Sequence, residues 1–348
     1  MLKKFKQTAL EILKTGGVFQ FMGDSRWRQR RLLILGYHGI SLTDEHEWDY
    51  RLYMSPTVFR ERLELLKKSG CTVLPLAEGL ERMYKNDLPE KAIVITFDDG
   101  TADFYTQAFP LLSEFQFPVT LYLTTFYSQY NRPVFDVACS YLLWKGRDKS
   151  LRFKTLIGED VNVDLSSEQS RIHSLKRIQA YAGKNEFSAE EKDVLLGHLA
   201  NQLKVDYDQL LARRNLHLLN PREVKALAAQ GVDVQLHTHR HRMPRNRELF
   251  LRELEDNRKI VHDLTGAKAS HFCYPSGVYD SIFLPWLREA GIESATTCDL
   301  GLATVGENPL ALPRLLDISS LSAVEFTGWL SGLAVALKTG RKAARITN

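Results

Sequence analysis

The sequence has few cysteines and no long apolar run. Its four cysteines, Cys71, Cys139, Cys273 and Cys298, stand far apart and lack the paired spacing of zinc-binding modules. We therefore expect buried free thiols in a reducing compartment rather than a disulfide framework. No stretch of about 18 apolar residues occurs, so no membrane-spanning helix is predicted.

A strong excess of charge is also missing. The net charge is +4, and no basic run is interleaved with aromatic residues as in nucleic-acid-binding proteins. We therefore expect no nucleic-acid partner. Lys3, Lys4 and Lys6 are not followed by a continuous apolar segment, so a signal peptide is not predicted and a cytoplasmic location is expected.

The first 30 residues form an amphipathic helical pattern. Leu2, Phe5, Ala9, Ile12 and Leu13 recur at helical spacing, with lysines on the other side. One interpretation is a helix lying on a membrane surface, which would place the protein peripherally at the inner membrane face. The other, which we favour, is a helix packed on its own domain. The segment 321–348, an apolar helix followed by a basic tail, leaves the same two alternatives.

Predicted strands and helices alternate along most of the chain. The apolar runs at 32–35, 92–95 and 119–123 are typical of strands buried on both faces of a parallel sheet. This alternation predicts an α/β fold built from βαβ units. Between about 128 and 219 it gives way to successive helical patterns, which we interpret as a helical insertion on a βα loop.

Two adjacent carboxylates, Asp98 and Asp99, come at the C-terminal end of the predicted strand that contains the apolar run 92–95, and Gly100 allows the backbone to turn. In α/β folds, catalytic groups collect at the carboxyl ends of the strands. Neighbouring carboxylates repel each other unless a cation or a shared proton relieves them. A turn that caps a helix uses the same residue types, so this segment alone leaves both interpretations open.

His237 and His241 directly follow another predicted strand, at 232–236. In an extended chain they would lie about 13 Å apart, but a helical turn would bring them within about 6 Å of each other. With one carboxylate they would form a metal-binding set that leaves positions free for water and substrate. The second carboxylate could then accept a proton from attacking water, as hydrolysis of an amide or ester requires.

Four segments, in this order, resemble motifs of the polysaccharide deacetylases, the NodB-homology group that forms carbohydrate esterase family four. They are Leu35-Gly36-Tyr37-His38, Thr96-Phe97-Asp98-Asp99-Gly100, His237-Thr238-His239-Arg240-His241 and Phe272-Cys273-Tyr274-Pro275-Ser276-Gly277. The resemblance covers residues 32–126 and 220–316. It implies a distorted (β/α)7 barrel with a helical insertion, forming a catalytic domain over residues 31–320 that removes acetyl groups from sugars.

The resemblance also implies roles for individual residues. Asp98 would be the catalytic base, and Asp99, His237 and His241 would bind zinc, with cobalt or nickel as alternatives. The backbone N–H near Tyr274 would help to hold the oxyanion. An acetylated saccharide would be the substrate.

Two departures from the family pattern matter. Cys273 stands near the place of an arginine that often pairs with the catalytic Asp. Arg314 could supply that charge from the next strand, and the alternative is a surface arginine or one in an ordinary ion pair. The family's C-terminal Leu-x-x-His motif, which carries the general acid, is absent because no histidine follows His271. His38 is the candidate substitute, and a hydrogen-bonded histidine at the barrel mouth is the alternative.

Three functions follow from this pattern. The first is a metal-dependent hydrolase that removes acetyl groups from N-acetylated sugars of a polysaccharide or glycan precursor. The absent C-terminal histidine motivates a second, a carbohydrate-binding or regulatory module with little turnover. The third is hydrolysis of another C–N bond, and the intact Asp98–Asp99 pair counts against it because such relatives often lack that pair.

Overall fold

Seven parallel strands close into a barrel in the computed structural model, which describes residues 2–336. Each strand pairs with the next along the chain, and the last pairs with the first. We number them β1 (Leu33–Tyr37), β2 (Ala92–Phe97), β3 (Thr120–Leu123), β4 (Asp233–Leu236), β5 (His271–Cys273), β6 (Ser294–Leu300) and β7 (Leu312–Leu316). The predicted (β/α)7 barrel is confirmed.

Shorter strands lie outside this ring. They are Gly39–Ile40, which pairs with Tyr53–Met54, Thr72–Val73, which pairs with the start of β2, and Ser150–Arg152, which pairs with Asn162–Asp164. The sequence Cys71-Thr72-Val73-Leu74 also predicts a short second strand. The structure has only two strand residues there, and they extend the sheet beside β2 rather than joining the ring.

Alternate residues of the barrel strands face two different cores, which is why their sequences are continuously apolar. On β2, Ile93 and Ile95 pack outward against the surrounding helices, in one cluster with Phe59. Val94 points the other way, into a cluster with Ile34 and residues of other strands. All these side chains are fully buried, and each contributes roughly 1.5–3 kcal/mol of transfer free energy.

Helices surround the barrel, and several begin where the sequence provides a cap. The Ser55 hydroxyl accepts the Val58 N–H, and the Asn220 side chain accepts the Glu223 N–H. The surrounding helices are Glu45–Trp48, Pro56–Lys68, Leu76–Tyr84, Phe109–Glu114, Pro221–Ala229, Arg247–Thr265, Phe283–Glu289 and Ala323–Leu330, with a π-helical turn at Phe104–Ala108 and 3-10 turns at Tyr127–Gln129 and Pro275–Gly277.

The segment between β3 and β4 forms a helical insertion with its own buried core. Its helices are Phe135–Lys145, Phe153–Ile157, Glu168–Lys184, Ala189–Gln202 and Tyr207–Ala212. Polar contacts tie the insertion to the loop after β1: Asn215 donates to the Glu45 carboxylate, and Tyr141 donates to Asp44. The insertion therefore lies at the carboxyl end of the barrel strands.

The N-terminal segment packs on the C-terminal helices. Its helices are Leu2–Thr15, Val18–Gly23 and Arg26–Gln29, and Leu10 and Phe19 bury against Val324 and Leu333, the latter in the short helix Leu333–Ala336. No helix within residues 2–336 is long and apolar enough to cross a bilayer. The predicted basic tail, at 337–348, lies outside the described residues.

Candidate active site

The predicted site residues meet at one end of the barrel. His38 follows β1, Asp98 and Asp99 follow β2, and His237 follows β4. Arg314 lies within β7 and is fully buried. Residues far apart in sequence come together because all parallel strands of a barrel end at the same edge.

A tight turn separates the two adjacent carboxylates. Asp99 has a φ of 68° and Gly100 a φ of 81°, and the Gly100 N–H donates to the Asp98 carbonyl at 2.8 Å. A Cβ on Gly100 would lie 2.4 Å from Leu123 Cδ1, so both the conformation and the space favour glycine. The turn directs the two side chains into different surroundings: Asp98 is 3% exposed and Asp99 is 27% exposed.

Arg314 holds Asp98 through two parallel hydrogen bonds. Its Nη1 and Nη2 donate to the two Asp98 carboxylate oxygens at 2.8 Å each, and its Nε donates to the Thr297 carbonyl at 3.0 Å. Burial alone would raise the pKa of Asp98, but the Arg314 charge and hydrogen bonds, with His38 nearby, lower it to about 2. Arg314 is therefore not a surface arginine, and Asp98 is an ionised acceptor at neutral pH.

Asp99, His237 and His241 point their donor atoms at one another. Asp99 Oδ1 lies 3.1 Å from His237 Nε2 and 3.2 Å from His241 Nε2. Ligands of a tetrahedral zinc ion, at bond lengths near 2.0–2.1 Å, are separated by roughly 3.3 Å. The three residues therefore fit a divalent ion, and a set of three protein ligands leaves a position for water or substrate.

The charges of this set are coupled. Burial opposes ionisation of both Asp99 and His241, but their mutual attraction lowers the pKa of Asp99 well below its usual range and raises the pKa of His241. His237 donates from Nδ1 to the Cys273 carbonyl at 2.8 Å, which leaves Nε2 as its free lone pair. A bound ion would replace the proton on His241, because a ligating imidazole must be neutral.

The histidine segment is a bend rather than the predicted helical turn. Thr238 and His241 have φ values of 60° and 54°, and the Arg242 N–H donates to the Thr238 hydroxyl at 3.0 Å. The centroids of the two imidazole rings nevertheless lie 5.0 Å apart. His239 faces away from them and pairs with the Thr125 hydroxyl.

Two residues of the helix Arg247–Thr265 hold this bend, and sequence reasoning missed both. Asn257 accepts the His237 N–H at 2.9 Å and donates to the Leu123 carbonyl, and Glu253 accepts the Arg240 N–H at 2.7 Å. Asn257 stands in the apolar stripe of its helix, seven residues after Phe250, and is fully buried. A polar residue in such a stripe was the available signal.

A second group of possible ligands, Asp98, His237 and Cys273, lies beside the first. It is less suited to a cation because both Asp98 oxygens are bonded to the Arg314 guanidinium. Burial also raises the pKa of the Cys273 thiol, although Arg314 opposes this shift. A protonated thiol is a poor metal ligand, so Asp99, His237 and His241 form the better site.

The remaining two predicted residues differ in what they offer. His38 Nε2 lies 3.8 Å from an Asp98 oxygen, and its side chain is 19% exposed at the open end of the barrel. Tyr274 donates its N–H to the Thr296 carbonyl at 3.2 Å and its hydroxyl to the Leu310 carbonyl at 2.8 Å. An oxyanion role for the Tyr274 N–H would therefore require its bond to Thr296 to break.

Comparison with known proteins agrees with this geometry. The family model described as polysaccharide deacetylase matches residues 85–152 and 186–295, just over half of the chain and including both acidic and histidine motifs. The chain belongs to the polysaccharide deacetylase family. Members are generally metal-dependent, and the donor set described above is where this deacetylase-family chain would hold the ion.

One curated protein and two solved structures show how far the similarity extends along this chain. Poly-beta-1,6-N-acetyl-D-glucosamine N-deacetylase of Escherichia coli K12 is 31% identical over 98 residues, which are 28% of this chain and only 14% of that protein's length. The Streptococcus pyogenes deacetylase PplD in complex with acetate has 19% identity and a TM-score of 0.55 over 85% of this chain and 96% of its own. IcaB of Ammonifex degensii has 16% identity and a TM-score of 0.53 over 86% of this chain and 97% of its own. These two structures support the fold.

Proposed function

We propose that the protein is a zinc-dependent deacetylase that removes acetyl groups from N-acetylated sugars. The observation that carries the proposal is the pair of carboxylates in different states: Asp98 bound by Arg314 and Asp99 facing two histidines. A turn that only capped a helix would not need a buried arginine on one carboxylate and two imidazoles on the other.

Asp98 is the proton acceptor of the proposed reaction. It stays ionised because of Arg314, and it is adjacent to the donor set in sequence and in space. A divalent ion on Asp99, His237 and His241 would lower the pKa of water and polarise the acetyl carbonyl. Asp98 would then take the proton of the attacking water as the new C–O bond forms.

His38 is the proposed proton donor to the leaving amine. It lies within 3.8 Å of Asp98 and reaches solvent at the barrel mouth, where a sugar would enter. A histidine side chain is a common general acid, and His38 could supply a proton to the leaving amine and regain one from Asp98 or from water. This position gives the reaction an acid although the C-terminal histidine motif is absent.

The substrate we propose to test first is an N-acetylglucosamine oligomer with β-1,6 links. The Escherichia coli relative is named for that polymer, and its match here covers 28% of this chain. O-acetylated oligosaccharides and other N-acetylated sugars complete the panel. A glycan precursor made inside the cell would suit the cytoplasmic location expected from the sequence.

The test is acetate release by the purified chain, stripped of metal and reloaded with zinc, cobalt or nickel. We expect Asp98→Asn to keep its metal but to lose roughly 10²–10⁴-fold in rate, the usual contribution of a positioned base. Asp99→Ala should lose both metal and activity. Asp103→Asn, which alters another buried Asp of the same segment, is the matched control and should keep both.

Two results would contradict the proposal. Full activity in Asp99→Ala would remove the metal assignment. Tight glycan binding by the metal-loaded protein without acetate release from any substrate would instead favour a carbohydrate-binding module.

A further inference from the structure

The N-terminal segment exposes large apolar side chains to an unusual degree. Phe5, Phe21 and Ile12 are 77%, 76% and 65% exposed, the three most exposed large apolar side chains of the described residues. Phe5 and Ile12 are seven residues apart on the helix Leu2–Thr15, so they share one side of it. We call these three side chains the N-terminal face.

The other side of the same segment is firmly attached to the protein. Leu10 and Phe19 are buried against Val324 and Leu333. Arg28, fully buried, donates to the Leu330 carbonyl at 2.9 Å and to the Arg31 carbonyl at 2.6 Å. These contacts hold the segment in place, so the side chains of the N-terminal face remain exposed to solvent.

The excess positive charge of the chain is concentrated in this segment and in the C-terminal tail. Residues 1–31 contain eight Lys and Arg residues against two acidic ones, and residues 337–348 contain four against none. The 305 residues between them carry 34 basic and 40 acidic residues. The helix Leu333–Ala336 packs beside Val18–Gly23, the helix that carries Phe21. An apolar face inside a basic region is typical of helices that bind anionic membranes.

We propose that the N-terminal face binds the surface of an anionic lipid bilayer. The apolar side chains would enter the boundary between head groups and acyl chains. Lysines and arginines of the segment other than the buried Arg28 would contact anionic head groups. Charge argues against two other occupants. The N-terminal segment around a second copy of this face and the chain's own tail, residues 337–348, both carry excess positive charge and would be repelled. This interaction is independent of the proposed deacetylation.

The test is co-sedimentation of the full chain with vesicles of phosphatidylcholine alone or of phosphatidylcholine with phosphatidylglycerol. We expect binding to the anionic vesicles that weakens as salt is added, because surface charges are screened. Since burial of one such side chain changes a partition constant roughly tenfold or more, the triple variant Phe5→Ser, Ile12→Ser, Phe21→Ser should bind at least about a hundredfold more weakly.

The matched control removes equally exposed apolar side chains elsewhere. Val194→Ser with Leu249→Ser, at positions 57% and 50% exposed, should bind vesicles like the unaltered chain. Circular dichroism of each variant checks its fold. Equal binding by the triple variant, or no binding to any vesicle, would overturn the proposal. A dimer that the triple variant dissociates, without vesicle binding, would overturn it in favour of a second copy.

Discussion

Asp98 and Asp103 lie five residues apart and are equally buried, at 3% exposure, yet their acidities differ widely. The pKa of Asp98 is lowered to about 2, and the pKa of Asp103 is raised to about 7. Burial alone would raise the pKa of both carboxyl groups, so the difference comes from their neighbours. Asp98 faces the Arg314 guanidinium. Asp103 accepts the Ile40 N–H at 2.7 Å and the Thr101 hydroxyl at 3.1 Å, and the negative charge of Glu45 raises its pKa further.

A third buried carboxylate, Asp317, has a pKa between those of Asp98 and Asp103. Burial raises its pKa to about 6 although Arg62 lies beside it and lowers the value. Arg62 reaches Asp317 with a single N–H at 2.9 Å and donates a second to the Leu321 carbonyl. The comparison indicates that the two-pronged Arg314 contact, not burial or a neighbouring cation alone, keeps Asp98 ionised.

The strongest way to break this comparison is to remove the guanidinium. Arg314→Gln should raise the pKa of Asp98, so the acid limb of the pH–rate profile moves to higher pH and the rate at neutral pH falls. Loss of one partner of a buried ion pair also costs about 3–5 kcal/mol of unfolding free energy. Arg314→Lys should restore part of the pH profile because it restores the charge without the two-pronged contact.

The matched control for Arg314→Gln is Arg62→Gln, which breaks the other buried pair. It should lose a comparable unfolding free energy in urea titration while the metal-loaded pH–rate profile stays in place. An equal shift of the profile in both variants would show that general loosening of the barrel, rather than the Asp98 contact, is responsible.

The opposite change is expected at Asp103. Because its pKa is raised in the folded protein, its stabilising contribution is complete below the unfolded value of 3.8 and is lost as the pH rises through about 7. Asp103→Asn keeps an acceptor for the Ile40 N–H without ionising. The variant should therefore gain stability relative to the unaltered chain as the pH is raised, by up to about 4 kcal/mol near pH 8, since each unit of pKa shift corresponds to about 1.4 kcal/mol.

Urea unfolding of both proteins at several pH values checks this prediction. A stability difference that does not change between acidic and alkaline pH would mean that Asp103 does not hold a proton in the fold. Acetate release by Asp103→Asn should equal that of the unaltered chain, since Asp103 does not contact the donor set.

Much of the barrel was predictable because it rests on local signals. The apolar run before Asp98 marks a strand buried on both faces, and the Ser55-Pro56 and Asn220-Pro221 pairs mark helix starts. The resemblance to known motifs supplied the grouping of Asp98, Asp99 and the histidines. Each of these signals lies within a few neighbouring residues.

What could not be predicted depends on contacts between distant segments. The bend at Thr238 and His241 is held by Asn257 and Glu253 from the next helix, and no local pattern encodes that pairing. The short strand at Thr72–Val73 lies beside β2 rather than in the ring because β1 takes the neighbouring place in the ring. The Tyr274 N–H pairs with Thr296 on another strand.

The smallest effect is expected at Cys273, and it separates the two possible donor sets. The thiol accepts a hydrogen bond from Arg314 Nη2 at 3.1 Å and donates to Asp98 at 3.4 Å. Cys273→Ala should cost about 1–2 kcal/mol of unfolding free energy, because it removes both hydrogen bonds of the thiol. Its metal content, measured by mass spectrometry, should stay unchanged. Cys273→Ser, which keeps a donor, should lose less. Loss of metal in Cys273→Ala would instead place the ion on Asp98, His237 and Cys273, where it would compete with Arg314 for the same carboxylate.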